Sequence, residues 1–141
     1  MTISDTHQRQ QLLQQYRHIA IVGASPNSYR ASNAIAIYMQ AHGYDIIPIN
    51  PRYAGQTLLG KRVYASLTEA KAAGEPIEIV DMFRKAADVP PVADEAISIG
   101  AKVLWLQLGI RNDEASQKAR EAGLIVVQNL CIKVEHAHFF G

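Results

Sequence analysis

The segment from Ile19 to Tyr38 constrains the fold more than any other part of the chain. Its first four residues, Ile-Ala-Ile-Val, form an unbroken apolar run, which is typical of a parallel strand covered on both faces. From about Arg30, apolar residues recur at helical spacing, at Ala31, Ala34, Ile35 and Tyr38. The segment therefore predicts a buried strand, a short loop and a helix in succession.

The loop of this unit suits a phosphate. Gly23, Ala24 and Ser25 have small side chains, so that a ligand can come close to the backbone where it turns. Unpaired N–H groups and the positive end of the following helix dipole would face the same point. We expect the first ligand contact here.

Four more apolar runs predict further strands, over 44–50, 77–83, 103–108 and 124–129, with helices between them. Pro48 removes one ladder donor and predicts that the second strand lies at or near a sheet edge. Ser66 and Glu69 have capping-box spacing and predict the start of a helix. The alternation predicts a single α/β domain of Rossmann-like, doubly wound type, with a mainly parallel five-stranded sheet and helices on both faces.

The two ends of the chain are less regular. Residues 1–18 are expected to form an amphipathic lead-in helix capped by Ser4 or Asp5, and residues 19–141 to form the domain itself. The segment 58–61 has no clear periodicity and predicts a loop. The residues from Cys131 onward predict a final turn or a short helix.

Composition excludes several classes of partner. A net charge of +1 over 141 residues lacks the electrostatic footprint that nucleic acid or an anionic membrane requires. No apolar run approaches the length that crosses a bilayer, and no signal peptide is evident. The single Cys131 cannot form an internal disulfide. We therefore expect a cytoplasmic protein.

The loops at the carboxyl ends of the strands favour a ligand with several phosphates. Gly23 is the only glycine in its loop, whereas dinucleotide sites need three, and Asn50 stands where NAD sites place an acid. No P-loop motif is present. Three neighbouring loops instead carry Arg30, Arg52 and Arg84, and guanidinium groups bind phosphate well. Solvated loop arginines are the alternative for each of them.

The chain also resembles a known family along most of its length, from Ile19 to His136. The motifs that carry the resemblance are Val22-Gly23-Ala24-Ser25, His42-Gly43-Tyr44, Ile49-Asn50-Pro51, Val80-Asp81-Met82-Phe83-Arg84, Ile99-Gly100-Ala101-Lys102, Trp105-Leu106-Gln107-Leu108-Gly109-Ile110, Ala122-Gly123-Leu124 and Cys131-Ile132-Lys133-Val134-Glu135-His136. They resemble the stand-alone coenzyme A-binding domain proteins, which are similar to the nucleotide-binding domain of the succinyl-CoA synthetase alpha subunit.

This resemblance implies that coenzyme A lies across the strand ends. A phosphate would be received by Gly23, Ala24 and Ser25, with Arg30 and Ser32 beside it. The adenosine would be flanked by Asn50, Pro51 and Arg52. The nucleotide or the start of the pantetheine would be bordered by Phe83 and Arg84. The pantetheine arm would run along Leu108 and Gly109.

Residues suited to catalysis are few. Cys131 follows the fifth predicted strand at the ligand end of the sheet, where its thiol could meet that of coenzyme A; an inert, half-buried cysteine is the alternative. Asp81 is interpreted as a structural ion pair with Arg84 or as a loop anchor. The C-terminal Glu135, His136 and His138 lack the spacing of a metal site with Cys131.

We therefore expect a protein that binds coenzyme A or acyl-CoA without catalytic apparatus, as a sensor or a carrier. A small NADP-dependent oxidoreductase that uses the same crevice is one alternative. A partner-binding subunit with a vestigial nucleotide pocket is another. A homodimer and an unidentified protein partner both remain open.

Overall fold

Five parallel strands form the centre of the computed structural model, which describes residues 5–141. In chain order they are β1 (His18–Val22), β2 (Asp45–Ile49), β5 (Ile79–Met82), β6 (Val103–Leu106) and β7 (Ile125–Val127). Their order in space is β2-β1-β5-β6-β7, and all neighbours pair in parallel. The chain moves outward from β1 to β2 and then returns to the other side of β1, so the strand order reverses between β1 and β5.

Helices cover both faces of this sheet. Within residues 5–141 they are α1 (Thr6–Gln15), α2 (Ala31–Ala41), α3 (Leu67–Ala72), α4 (Val89–Ser98), α5 (Asp113–Glu121) and α6 (Ile132–Phe140). Alternate residues of β1 enter two separate apolar clusters, one with α1, α2 and α6 and the other with α3, α4 and α5. The predicted doubly wound α/β fold is confirmed.

The edge position of β2 is also confirmed. Beyond β2, Tyr64 partly covers the open edge, because its amide donates to the Pro48 carbonyl over 3.0 Å. Its carbonyl accepts from the Asn50 amide at 2.9 Å. Proline is tolerated here because the only neighbour at full strand length lies on the β1 side.

Side-chain caps fix several helix starts. Ser66 Oγ accepts from the Glu69 amide at 3.1 Å, as predicted. The Glu69 carboxylate reaches back to the Ala65 amide, one residue before the position that a capping box specifies. The Asp5 carboxylate accepts from the Gln8 amide and caps α1. Residues 1–4, and with them the alternative cap Ser4, lie outside the described residues.

The structure corrects the prediction of a loop over 58–61. A short antiparallel hairpin occupies this segment, formed by β3 (Thr57–Leu58) and β4 (Lys61–Arg62). Its two turn residues, Leu59 and Gly60, both have positive φ, at 54° and 78°. Gly60 is typical of such a turn, but leucine at residue 59 is unusual where Asn, Asp or Gly is normal, so the local sequence signal for a hairpin is weak.

The strands are shorter than the apolar runs that predicted them. The run over 103–108 continues two residues past the end of β6 at Leu106, and the run over 124–129 two residues past the end of β7. These extra residues leave the sheet at its carboxyl edge. None of the helices in residues 5–141 has the length and apolar character needed to span a membrane.

Candidate functional site

The loops after β1, β2 and β5 enclose a cavity of about 680 Å³ at the carboxyl edge of the sheet. We call it the first cavity. Its walls are Gly23, Ser25, Arg30, Ala31, Ser32, Asn50, Pro51, Arg52, Tyr53, Phe83, Arg84 and Lys85. It lies where the strand order reverses, which is the usual ligand crevice of a doubly wound sheet.

Gly23 allows the walls of the first cavity to approach one another. Its φ is +94°, a conformation that side chains strongly disfavour. A Cβ atom on Gly23 would lie 3.2 Å from Cγ of Arg84 and 3.3 Å from Cβ of Phe83. A side chain at residue 23 would therefore force the loop after β5 to move by a few tenths of an ångström, in addition to the strain of the positive φ.

The amides of Gly23 and Ala24, two of the residues expected to receive a phosphate, are not available to one. Both amides donate to the Ile49 carbonyl at the end of β2, at 2.9 and 3.2 Å. Ala24 is also buried in the core and is absent from the cavity wall. Among residues 5–141, the amides between β1 and the first turn of α2 that lack an acceptor are those of Ser25, Ser28, Ala31 and Ser32. The donors that an anion could meet therefore lie after Ala24, in the rest of the loop and at the start of α2.

Local hydrogen bonds hold the segment between β1 and α2 in place. Ser25 Oγ accepts from the Asn27 amide at 3.0 Å, and the Ser25 carbonyl accepts from Asn33 Nδ2 at 3.0 Å. Asn27 Oδ1 accepts from the Tyr29 amide at 2.9 Å. No acidic residue and no capping side chain occupies the first turn of α2. Its N-terminus is thus open to an external anion.

Asn50 connects the loop after β2 with the loop after β1. Its Nδ2 donates to the Ala24 carbonyl and its Oδ1 accepts from the Arg52 amide, both at 2.9 Å. The side chain therefore ties the loop after β2 to the loop after β1. It also sets the direction in which the chain leaves the sheet toward Arg52.

Four cationic side chains border the first cavity, and no carboxylate lies among the lining residues in the described chain. The cations are Arg30, Arg52, Arg84 and Lys85. Arg52 lies over the Tyr53 ring at 5.5 Å. Arg84 makes a long contact of 3.6 Å with Asp88, outside the cavity wall. The site is therefore electropositive in a chain whose net charge is only +1.

A second cavity, of about 500 Å³, adjoins the first. Both are walled by Ala31, Phe83, Arg84 and Lys85. The second cavity is completed by Ile35, Gln107, Leu108, Gly109, Ile110 and Cys131. Together the two cavities extend along the carboxyl edge from the loop after β2 to the start of α6. The second is mainly apolar, in contrast to the first.

The predicted ligand residues thus meet at one edge of the sheet. All of them except Ala24 line a cavity, and Leu108, Gly109 and Cys131 line the second. The residues that sequence reasoning missed are Ala31, Ile35, Tyr53, Lys85, Gln107 and Ile110. Gln107 had a signal, because it is the one polar residue in the apolar run over 103–108.

The interpretation of Asp81 as an ion pair or loop anchor is wrong. Its side chain is fully buried in β5 and neither carboxylate oxygen has a hydrogen-bond partner within residues 5–141. Burial raises the pKa of Asp81 well above its ordinary value, so the neutral form is favoured. Arg84 contacts Asp88 instead.

His136 takes a structural position, whereas His138 is exposed. His136 is buried in α6, and its Nδ1 lies 2.9 Å from the Tyr38 hydroxyl. Burial, followed by the nearby His42 and Arg17, lowers the pKa of His136. Within residues 5–141, no three His, Cys, Asp or Glu side chains are grouped so that they could hold a metal ion.

Comparison with known proteins identifies relatives that span nearly the whole chain. The Bacillus subtilis (strain 168) protein YneT is 41% identical over 127 residues, which is 90% of each chain. A solved structure from Pyrococcus horikoshii OT3 is 40% identical with a TM-score of 0.91, and the match covers 98% of this chain and 94% of that one. One from Thermus thermophilus is 32% identical with a TM-score of 0.91, covering 97% and 100%.

A protein-family model also matches almost all of the described residues. The model of the CoA binding domain matches residues 17–137, which include every residue of both cavities. The resemblance found in the sequence motifs is therefore confirmed. The chain belongs to the CoA binding domain family.

Proposed function

We propose that the chain binds coenzyme A or an acyl-CoA across both cavities, with the phosphates in the first and the pantetheine arm in the second. The observation that carries this proposal is the pairing of the two cavities. One is cationic and free of carboxylates, and the other is apolar, and they share a wall. Coenzyme A has the same division between a charged nucleotide and a long, mostly uncharged arm.

The diphosphate is assigned to the start of α2. The amides of Ala31 and Ser32 lack acceptors there, and the helix dipole favours an anion at this end. Arg30 adds a full positive charge at the same turn. Gly23 supports the assignment, since it lines the first cavity without a side chain.

The adenosine and its 3′-phosphate are assigned to the loop after β2. Asn50, Pro51 and Arg52 form this side of the first cavity, and Tyr53 adds an aromatic ring. Arg52 is well placed to hold a ribose phosphate, because its backbone is fixed by Asn50. Phe83 and Arg84 would border the ligand as it passes from the first cavity to the second.

The same cavities favour binding over catalysis. Their described lining holds neither a carboxylate nor an imidazole that could act as a general acid or base. We therefore propose a sensor or carrier of coenzyme A, located in the cytoplasm, where a lone thiol such as Cys131 stays reduced.

A nicotinamide dinucleotide is the competing ligand. The structure of RSP in complex with beta-NADH is 20% identical to this chain with a TM-score of 0.54, covering 80% of this chain and 52% of that one. Such a likeness concerns the fold alone. The residue that follows β2 favours another ligand, because Asn50 stands where NAD sites place a carboxylate.

Calorimetric titration with coenzyme A, dephospho-coenzyme A, NADP and NADH tests the proposal. We expect coenzyme A to bind most tightly. Dephospho-coenzyme A, which lacks the 3′-phosphate, should bind about tenfold or more weakly, because it loses a charge-assisted hydrogen bond. Tighter binding of NADP, or no saturable binding of coenzyme A, would contradict the proposal.

A further inference from the structure

Gln107 is a buried polar residue in the wall of the second cavity. It directly follows β6 and is only 4% exposed. Its Oε1 accepts from the amide of Ile132, the first residue of α6, at 3.1 Å. Because an amide can only donate, this bond fixes which end of the carboxamide is the oxygen.

The other end of the carboxamide, Nε2, is an unused donor. No residue in the described part of the chain accepts a hydrogen bond from it. The side-chain polar atoms that are both sealed and unpartnered in residues 5–141 belong to Asp81 and Ser116, and Nε2 is not among them. Since Gln107 is otherwise buried, the open side of Nε2 is the cavity that the residue lines.

Apart from Arg84 and Lys85, the side chains that line the cavity around this donor are apolar. Ile35 and Ile110 line the same cavity, together with the half-buried Cys131. Leu108 is 69% exposed and lies at the rim, whereas Gln107 lies at the floor. A ligand that lies along the rim would therefore contact Gln107 only through an end that enters the cavity.

We propose that the second cavity selects acyl thioesters, with Gln107 Nε2 donating to the thioester carbonyl and Ile35 and Ile110 packing against a short acyl chain. This inference rests on the proposed binding of coenzyme A. A free thiol is a poor acceptor for the Gln107 donor, so unacylated coenzyme A leaves that donor unpaired in an apolar site. A thioester carbonyl satisfies it. The favoured ligand is thus an acyl-CoA with a short, uncharged acyl group.

The wild-type chain permits a direct test. Acetyl-CoA and the thioether S-ethyl-CoA have the same length, but only the first has a carbonyl next to sulfur. We expect acetyl-CoA to bind about fivefold more tightly than S-ethyl-CoA in calorimetric titrations, the effect of one net hydrogen bond. Equal affinities would overturn the inference without any mutation.

A near-isosteric variant assigns the effect to one atom. Gln107→Glu keeps an acceptor for the Ile132 amide and replaces the Nε2 donor with a second acceptor. The N-terminus of α6 favours the ionised carboxylate, and titration at pH 8 maintains it. The preference for acetyl-CoA over S-ethyl-CoA should disappear. Gln11→Glu, at an exposed position of α1, adds the same charge away from both cavities and should keep the preference.

The remaining outcomes are separable. If Gln107→Glu weakens coenzyme A, acetyl-CoA and S-ethyl-CoA equally, the donor serves an amide of the pantetheine arm and the inference is wrong. If the wild-type protein binds none of the three ligands, the proposed function is wrong, and with it the inference. Binding of coenzyme A without a carbonyl preference would leave the proposed function intact and overturn only the selectivity.

Discussion

The two cavities share Ala31, Phe83, Arg84 and Lys85, yet they are built on different principles. The first presents charge, main-chain amides and a helix N-terminus, all of which recognise an anion without regard to what it is attached to. The second presents mainly apolar side chains and one buried carboxamide, so under our proposal a ligand there would be selected by shape and by one hydrogen bond. Affinity and selectivity would then be separated along one sheet edge.

The largest effect should come from adding a side chain at Gly23, where the loop after β1 contacts the loop after β5. Gly23→Ala adds a Cβ that lies 3.2 Å from Arg84 Cγ, at a residue with a φ of +94°. We expect a loss of about 2–3 kcal/mol in the free energy of unfolding, measured with urea, together with loss of coenzyme A binding.

Gly43→Ala is the matched control, since its φ is +91° and a Cβ there would have no neighbour within 4 Å. It should cost about 1–2 kcal/mol, the conformational part alone, and leave binding unchanged. Equal losses of stability in the two variants would mean that the contact between the loops is unimportant.

The next largest effect is the pH dependence of stability that Asp81 causes, in β5. Asp81 has a raised pKa in the folded chain, so the folded state holds a proton that the unfolded state releases above its ordinary pKa of 3.8. The stability contribution is therefore complete below pH 3.8 and declines as pH rises toward the folded pKa. Relative to Asp81→Asn, the wild-type free energy of unfolding should fall by up to about 1.4 kcal/mol per pH unit in that window.

Urea unfolding of wild type and Asp81→Asn from pH 4 to pH 8 measures this difference in stability. Calorimetric titration of both proteins with ligands shows whether ligand selectivity changes. We expect similar ligand preferences in both, since Asp81 lines neither cavity. Parallel stability curves would contradict the neutral form of Asp81.

A smaller and more specific effect is expected from the cation at the start of α2. Arg30→Ala should weaken coenzyme A by about 1–3 kcal/mol if the guanidinium contacts the diphosphate. The same loss should appear with dephospho-coenzyme A, which keeps the diphosphate, and be absent with pantetheine, which has no phosphate. Arg62→Ala, an exposed arginine outside both cavities, controls for net charge. Unchanged affinity in Arg30→Ala would remove this residue from the proposed site.

The smallest effect should come from the rim of the second cavity. Leu108→Ser removes an apolar side chain that is 69% exposed in the free protein. We expect about a threefold loss of affinity for coenzyme A and none for 3′,5′-ADP, which lacks the arm. Calorimetry with both ligands checks this, and an equal loss for both would show that the two cavities are not separate in function.

Local patterns predicted the fold well, because each depends on neighbours in sequence. The apolar run over 19–22 became β1, Pro48 marked the edge strand, and Ser66 capped a helix. The cationic loops were also visible, since their positions follow from the ends of the predicted strands.

The features that escaped prediction depend on distant parts of the chain. The amides of Gly23 and Ala24 are used by Ile49, a residue of another strand, and nothing near residue 23 indicates this. Asp81 lies near Arg84 in sequence but faces the core. The side chain of Gln107 is oriented by the Ile132 amide, 25 residues away. Sequence spacing cannot reveal which of several candidate partners a folded chain brings together.

The common wall formed by Phe83 and Arg84 has one more consequence. Because no gap separates the cavities, a molecule that reaches into both loses its freedom of translation and rotation only once. Its two halves, supplied as unconnected fragments, would each bear that entropic cost and bind far more weakly than the joined whole. Cleavage of such a ligand at its midpoint would therefore release both pieces from the protein.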